Sequence, residues 1–319
     1  CYFGTKPREN HTMAFKQPRL VATVVEHSQR WKKTEQQVMI LIFGKTGQVA
    51  KELQLAGDVL ALGRDITDLS NPSSCYDAIK MYVPEAVINA AAYTDVDSAE
   101  TEEELATIVN ANSPKSMAQA CATLNIPLVH LSTDYVFDGT GDEPWKPKDV
   151  TKPQNAYGRS KKIGEDSIRS VGSTYSILRT SWIFSSHGTN FVKSMLNLSK
   201  NRDTLSVVMD QIGGPTPAKD IAKACLQIVE QLKQDPSKSG TYHFSGTEDI
   251  SWADFATEIF QQTGRSVSVL PIPTSEYPTP AVRPLNSRLN CSKTREVFSI
   301  HRPDWRIGLN DILTELGVI

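Results

Sequence analysis

Tyr157 and Lys161 stand four residues apart in Tyr157-Gly158-Arg159-Ser160-Lys161, a spacing that places both side chains on one helix face. An ammonium beside a phenol favours the phenolate and lowers a pKa of about 10. Such a tyrosine can pass a proton to or from a carbonyl oxygen. Alone the YxxxK pattern recurs by chance, so its company matters. Upstream, Thr133 and Asp134 follow the apolar run Leu128 to Ser132, where a strand would deliver them to its carboxyl end. Further upstream, Met39 to Ala50 reads MILIFGKTGQVA. This is an apolar strand ending in Gly44, Lys45, Thr46 and Gly47, with Gln48 and Val49 opening a helix. The turn offers free backbone N–H groups to a pyrophosphate. Glycine at its first position permits the tight turn, and glycine at its second lets the backbone approach phosphate closely. A plain structural strand-to-helix turn is the alternative reading.

The elements that position these residues alternate. After the glycine turn, Asp58 to Leu62 reads as a strand ending in Gly63, Arg64 and Asp65. An acidic residue near this place would favour NAD by holding the ribose hydroxyls. Arg64 instead could meet a 2′-phosphate, or it is a solvated loop arginine; NADPH is the expectation, with NADH open. A helix over 72–81 and a strand over 86–89 lead into Ala90, Ala91, Ala92 and Tyr93, small residues against which a dinucleotide could lie. A helix over about 102–124 precedes the strand that carries Thr133. Alternation with short connections predicts an α/β fold, a doubly wound parallel sheet of Rossmann type.

Past Tyr157 and Lys161, a strand over 175–178 leads to Arg179, Thr180, Ser181 and Trp182, placing Trp182 as a platform for a planar or sugar ring. Past Phe191 the pattern changes to a smaller α/β lobe, with a proline-dense segment from Pro271 to Pro284 expected to wrap a surface in extended form. There Arg283 could reach a phosphate or sugar, or form a surface ion pair. The expected organisation is a loosely packed extension over 1–38, with an extra strand or helix as its alternative, then a dinucleotide-binding domain over 39–190 and a mainly substrate-binding lobe over 191–319, interleaved or not.

Totals narrow the function. In 319 residues, 39% hydrophobic and 22% charged with a net charge of -2, there is no basic face for nucleic acid. Five scattered cysteines (Cys1, Cys75, Cys121, Cys225 and Cys291) form no CxxC, which argues for a reducing compartment and a cytoplasmic enzyme. No apolar run approaches the ~18 residues of a membrane span, and the first residues lack the apolar core of a signal peptide.

The signatures LIFGKTGQV (41–49), NAAAYTDVDSAE (89–100), STDYVFDG (132–139), YGRSK (157–161), RTSW (179–182), DQIGGPT (210–216) and YPTPAVRPLNSRL (277–289) resemble the extended short-chain dehydrogenase/reductase superfamily. More narrowly they resemble its dTDP-4-dehydrorhamnose reductase family. That resemblance implies hydride transfer from NADPH or NADH to the C4 keto carbon of a dTDP-4-keto sugar. Tyr157 would protonate the keto oxygen, Thr133 would hydrogen-bond it, and Lys161 would hold the nicotinamide ribose and bias Tyr157 towards phenolate. Gly44, Lys45, Thr46, Gly47, Gln48 and Val49 would border the pyrophosphate, Asp68 and Leu69 the adenosine beside Arg64, and Ala91, Ala92, Tyr93 and Thr94 the far side of the cofactor. Asp134 and Trp182, with Arg283, would contact the substrate.

Ala50 stands where a third glycine is frequent and is the tolerated substitute. Some bacterial members dimerise through magnesium held by glutamates. Glu52 and Glu315 look placed for this, but Lys219 occupies the position of a third acid, which argues against that metal site and that dimer; a homodimer of another kind stays open. Two other readings share the resemblance: a non-catalytic NADP-binding subunit like the methionine adenosyltransferase beta subunit, and another sugar-nucleotide reductase or epimerase.

Overall fold

Short aliphatic runs separated by amphipathic stretches leave each strand apolar on both faces, which forces helices onto both sides of a sheet. The computed structural model describes residues 39–319, and the expectation for 1–38 lies outside them. In it β1 (Ile40–Phe43) leads to α1 (Gln48–Ala56), β2 (Val59–Leu62) to α2 (Pro72–Tyr82), and β3 (Ala86–Asn89) to a long helical stretch. That stretch comprises α3 (Glu103–Thr107), a π-helical turn (Ile108–Asn112) and α4 (Ser113–Leu124). There follow β4 (Leu128–Thr133), α5 (Ala156–Val171), β5 (Tyr175–Thr180), β6 (Ile183–Phe184), α6 (Phe191–Leu198), β7 (Thr204–Val208), β8 (Ile212–Gly213) and β9 (Thr216–Pro217). The chain ends with α7 (Ala218–Gln234), β10 (Gly240–His243), β11 (Ile250–Ser251), α8 (Trp252–Gln262), β12 (Ser268–Ile272), β13 (Asn286–Ser287), α9 (Ser292–Phe298) and α10 (Trp305–Glu315).

Among the described residues the main sheet is six-stranded, in the order β2-β1-β3-β4-β5-β10, and every pair is parallel. This is the doubly wound, Rossmann-type sheet the alternation predicts. Its sixth strand and α7 come from beyond residue 190, so the chain returns to the first sheet after starting the smaller lobe. One sheet face packs Leu53, Ile221 and Phe298 from α1, α7 and α9. The other packs Cys75, Ile79, Met117 and Ile168 from α2, α4 and α5. A separate core joins Phe184, Phe255 and Trp305 in the smaller lobe.

Three local differences from expectation matter for the site. β5 runs two residues past Leu178, so Arg179 and Thr180 belong to the strand and are buried. The proline-dense segment starts inside β12 and turns through a short 3-10 helix, Thr274–Glu276, before its extended part. The helix expected over 102–124 opens into a π turn whose Asn110 backbone meets α5 at Gly164. A Cβ there would lie 2.1 Å from the Asn110 carbonyl oxygen, so only glycine lets α5, and Tyr157 with it, approach this closely.

Candidate active site

The glycine turn is shaped by backbone. Gly44 has φ 106°, its N–H donates to the Leu62 carbonyl at 3.0 Å, and a Cβ would press on the Ala90 carbonyl at 3.3 Å. Lys45, Thr46 and Gly47 are exposed. Gly47 begins α1 with no side chain capping its N–H groups and no acid in the first turn, leaving a positive helix end open to an anion. Val49 is buried in the core, and the Gln48 side-chain oxygen accepts from Ser185 Oγ and Asn190 Nδ2, both at 2.9 Å. The turn is thereby tied to the loop entering α6.

Because β1 lies between β2 and β3, the segments after all three strands gather at one end of the sheet. Arg64 and Asp68 are exposed after β2; the Ser70 N–H, at 2.9 Å, holds the Asp68 carboxyl below its ordinary range, with Arg64 adding to the effect. Leu69 is buried and its carbonyl accepts from Ser113 Oγ. After β3, the Ala91 N–H donates to Asn89 Oδ1 at 3.1 Å. The Tyr93 N–H donates to Asn110 Oδ1 at 2.8 Å and its hydroxyl to Glu102 at 2.7 Å, while Ala92 is half-buried and Thr94 exposed.

Beside this end, β4 delivers Thr133 and Asp134, and α5 delivers Tyr157. The Asn155 side chain caps α5 by accepting the Gly158 N–H at 2.8 Å and donates to the Val282 carbonyl at 2.8 Å. Thr133 Oγ1 donates to Asp134 Oδ1 at 3.1 Å and accepts the Tyr135 N–H at 3.2 Å. The Tyr157 ring meets Tyr135 edge to face, with centroids 5.5 Å apart. Burial pushes the Tyr157 phenol up, the Asp134 charge pushes it further, and the nearby Thr133 hydroxyl pulls it partly back. Asp134 is raised to about 6 by burial, against hydrogen bonds from Ser287 and Thr133. Its Oδ2 is buried with no hydrogen-bond partner.

The expected lowering of the Tyr157 phenol by Lys161 is not what this arrangement produces. Lys161 Nζ turns to β4, donating to the Leu131 carbonyl at 2.7 Å and lying 3.2 Å from His130 Nε2. Burial lowers it to about 8, with Glu165 pulling the other way. Tyr157 is therefore a protonated phenol, suited to donate rather than accept. Trp182, at φ 50°, stacks on Trp252 with centroids 3.6 Å apart, so a neighbouring ring takes one face of the expected platform. Arg283 pairs with Asp97 through Nη2 at 2.7 Å, while its Nη1 is buried without a partner.

A family profile described as the RmlD substrate binding domain matches residues 38–318. The dTDP-4-dehydrorhamnose reductase of Salmonella typhimurium is 40% identical over 291 residues, covering 87% of this chain and 97% of its own. That of Sinorhizobium fredii is 42% identical over 276 residues, covering 83% and 93%. Among solved structures, a dTDP-4-dehydrorhamnose reductase from Clostridium acetobutylicum superposes with TM-score 0.82 at 37% identity, covering 88% of this chain and 99% of its own. Another, from Bacillus anthracis in complex with NADP, gives 0.81 at 35% identity with the same coverage. The chain belongs to the dTDP-4-dehydrorhamnose reductase family.

The bridging magnesium that the resemblance raises does not suit the residues here. Glu52 lies 3.5 Å from His187 Nε2, Glu315 accepts from Ser186 Oγ at 2.8 Å, and Lys219 pairs with Asp311 at 3.3 Å. The carboxylates face a chain-borne ammonium and a histidine, and among the described residues no group of three or more His, Cys, Asp or Glu is arranged to hold a metal. For this family member we derive no step through one. Ser287, which the sequence offers beside Arg283 as within reach of a phosphate or sugar, acts on Asp134; Asn89, Asn110 and His130 went unassigned, and each touches a site residue. The one signal was the polar pair His130 and Ser132 on one face of an otherwise apolar strand.

Proposed function

We propose that this chain reduces the C4 keto group of a dTDP-4-keto-6-deoxyhexose, converting dTDP-4-dehydro-L-rhamnose to dTDP-L-rhamnose, with Tyr157 as the proton donor. The observation that carries the reading is a buried, protonated phenol that feels the Asp134 charge and the Thr133 hydroxyl, beside the strand ends that flank an open glycine turn. The turn fits a dinucleotide: Gly44 leaves no room for a side chain, and the start of α1 presents uncapped N–H groups. Bound there, NADPH or NADH supplies the hydride. The Bacillus anthracis relative, in complex with NADP, and the exposed Arg64 after β2 favour the phosphorylated form. In the broader division of labour we propose, residues 39–190 hold the dinucleotide and 191–319 mainly the sugar nucleotide.

The chain's own residues do the rest. Thr133 Oγ1 holds the reacting oxygen while Tyr157 gives its proton to the developing alkoxide. The Asp134 charge keeps the phenol protonated until charge builds on the substrate oxygen. Asn155, Asp97 and Gly139 fasten the segment from Ala281 to Asn286 beside this region through contacts with the Val282 carbonyl, Arg283 and the Asn286 N–H. The test is the nicotinamide absorbance of NADPH mixed with the purified protein and the 4-keto sugar nucleotide. Stoichiometric oxidation is expected, and Tyr157→Phe should lower its rate by about 10²-fold or more. Full activity in that variant would overturn the role of Tyr157; no oxidation by the parent chain would overturn the reaction.

A further inference from the structure

Asn89, His130 and Lys161 form a buried chain of side chains, exposed by 0, 0 and 2% respectively. Asn89 and His130 are register partners on β3 and β4, so their side chains lie side by side on the face that α5 covers. The orientation of the Asn89 amide is fixed from outside the chain. Its Oδ1 accepts the Ala91 N–H at 3.1 Å, so its Nδ2 is the atom that meets His130 Nδ1 at 3.0 Å. An amide nitrogen only donates. His130 Nδ1 must therefore be the bare, accepting nitrogen, and a neutral ring then carries its proton on Nε2, the atom 3.2 Å from Lys161 Nζ.

That geometry decides what Lys161 can be. An ammonium has only hydrogens to offer, and an N–H facing another N–H in a dry site is repulsive. A neutral amine fits: it accepts from His130 Nε2 through its lone pair and donates to the Leu131 carbonyl at 2.7 Å. We infer that His130 is a positioning residue, locked by Asn89 into the Nε2–H tautomer, that holds Lys161 as a neutral amine until the dinucleotide binds. On binding, Lys161 releases His130, takes a proton from solvent and meets the ribose hydroxyls as an ammonium. This second step rests on the reductase reading, in which Lys161 serves the cofactor. Among the described residues the titratable groups acting on Lys161 are His130 from β4 and Glu165 from its own helix. Burial brings the lysine to about 8, so the neutral amine predominates above that pH and the switch operates at mildly alkaline pH.

The arrangement also accounts for a missing effect. Held by β4, Lys161 exerts no pull on the Tyr157 phenol, and the phenol stays protonated in the free enzyme. Cofactor binding would then deliver a cation to the site at the moment a proton is to be given up.

Two measurements on the full chain test this. Nitrogen NMR of ¹⁵N-histidine-labelled free protein, with His130 assigned by its loss in His130→Gln, should show Nε2 protonated and Nδ1 bare. Calorimetry of NADPH binding at pH about 9, in buffers of differing ionisation heat, should show uptake approaching one proton per site. In Asn89→Asp the carboxylate keeps the Ala91 N–H and accepts from Nδ1, which reverses the tautomer, lets Nε2 accept from an ammonium, and should reduce the uptake to near zero. A His130 ring protonated on Nδ1 or on both nitrogens in the parent, or NADPH binding without proton uptake, overturns the inference. A reductase reading that failed would show instead as no NADPH oxidation while the tautomer stands as stated.

Discussion

Two buried polar networks start two residues apart on β4 and end one helical turn apart on α5, yet they are balanced differently. In the first, His130 meets Lys161, and no carboxylate touches the ammonium position. In the second, Ser132 Oγ donates to Glu165 at 2.6 Å, and Glu165 takes both Nε and Nη2 of Arg179 at 2.8 and 2.6 Å. Arg169 adds a further bond to Glu165 at 2.6 Å, and Arg179 Nη1 lies 3.3 Å from His243 Nε2. Burial would raise Glu165, but Arg179, Ser132 and Arg169 overcome it and hold the carboxyl at about 2. A charge with that many partners is fixed at every working pH. A lysine brought to about 8 is free to change, which is what a functional group needs and a structural one avoids.

The largest effect should come from breaking the paired network. Arg179→Met leaves Glu165 buried with only the partly exposed Arg169 to meet its charge, and removing one partner of a buried pair costs about 3–5 kcal/mol. Denaturant unfolding should show that loss as a lower midpoint at unchanged slope. Lys161→Met breaks the other network with the opposite signature. It leaves one carbonyl and one imidazole N–H without a partner, at about 1–3 kcal/mol each, but removes the desolvation of a buried amine with no carboxylate in contact, so the two offset and stability should fall by less than in Arg179→Met. Turnover should fall by about 10²-fold or more. A Lys161→Met protein that unfolds as easily as Arg179→Met would erase the distinction between the two.

The acid limb of stability sharpens the same contrast. His243 is held at about 3 by burial and by Arg179, and His130 lies well below its ordinary 6.5 by burial and, at acid pH where Lys161 is an ammonium, by that charge. Both rings take protons more readily unfolded than folded, so stability should begin to fall as pH drops below 6.5. Glu165, depressed from 4.5 to about 2, contributes stability that is complete above 4.5 and is lost as pH falls through 2. At about 1.4 kcal/mol per pH unit this is on the order of 3 kcal/mol. Glu165→Gln should flatten the limb below 4.5 and leave the part set by the histidines. An unchanged limb in that variant would show that Arg179 does not depress the carboxyl.

What could be read from the chain without its fold is what lies close in sequence. The strand, glycine turn and helix from Ile40 to Ala56 are specified by neighbours within a few residues, and so is the shared helix face of Tyr157 and Lys161. Which partner wins each side chain was not legible. His130 and Lys161 are separated by 31 positions and Asn89 and His130 by 41, and only strand register and the seat of α5 bring them together. Lys161 therefore read as the partner of Tyr157, when β4 offers it a carbonyl and an imidazole. Arg179 read as a strand-end residue because the apolar run stops at Leu178; the strand continues, since Glu165 supplies the charge that lets an arginine be buried there. Trp182 read as a free platform because Trp252, its stacking partner, is 70 residues away by the numbering.

The smallest effect belongs to the segment beside the site. Arg283 shows the balance of neither network: Nη2 is paired with Asp97, and Nη1 is buried without a partner. Arg283→Lys can keep the Asp97 pair with its one nitrogen but cannot supply the second donor. The partly exposed pair contributes about 1 kcal/mol or less to folding, so stability should hardly change. If Nη1 is the donor that meets an oxygen of the sugar nucleotide, its loss should raise KM about 10-fold, the scale of one charge-assisted hydrogen bond, with kcat little altered. Asp97→Asn separates this from loosening of the segment. It weakens the Arg283 pair and the Ala281 N–H contact but leaves Nη1 in place, so it should move KM less. An equal rise in both variants would assign Arg283 to fastening the segment instead.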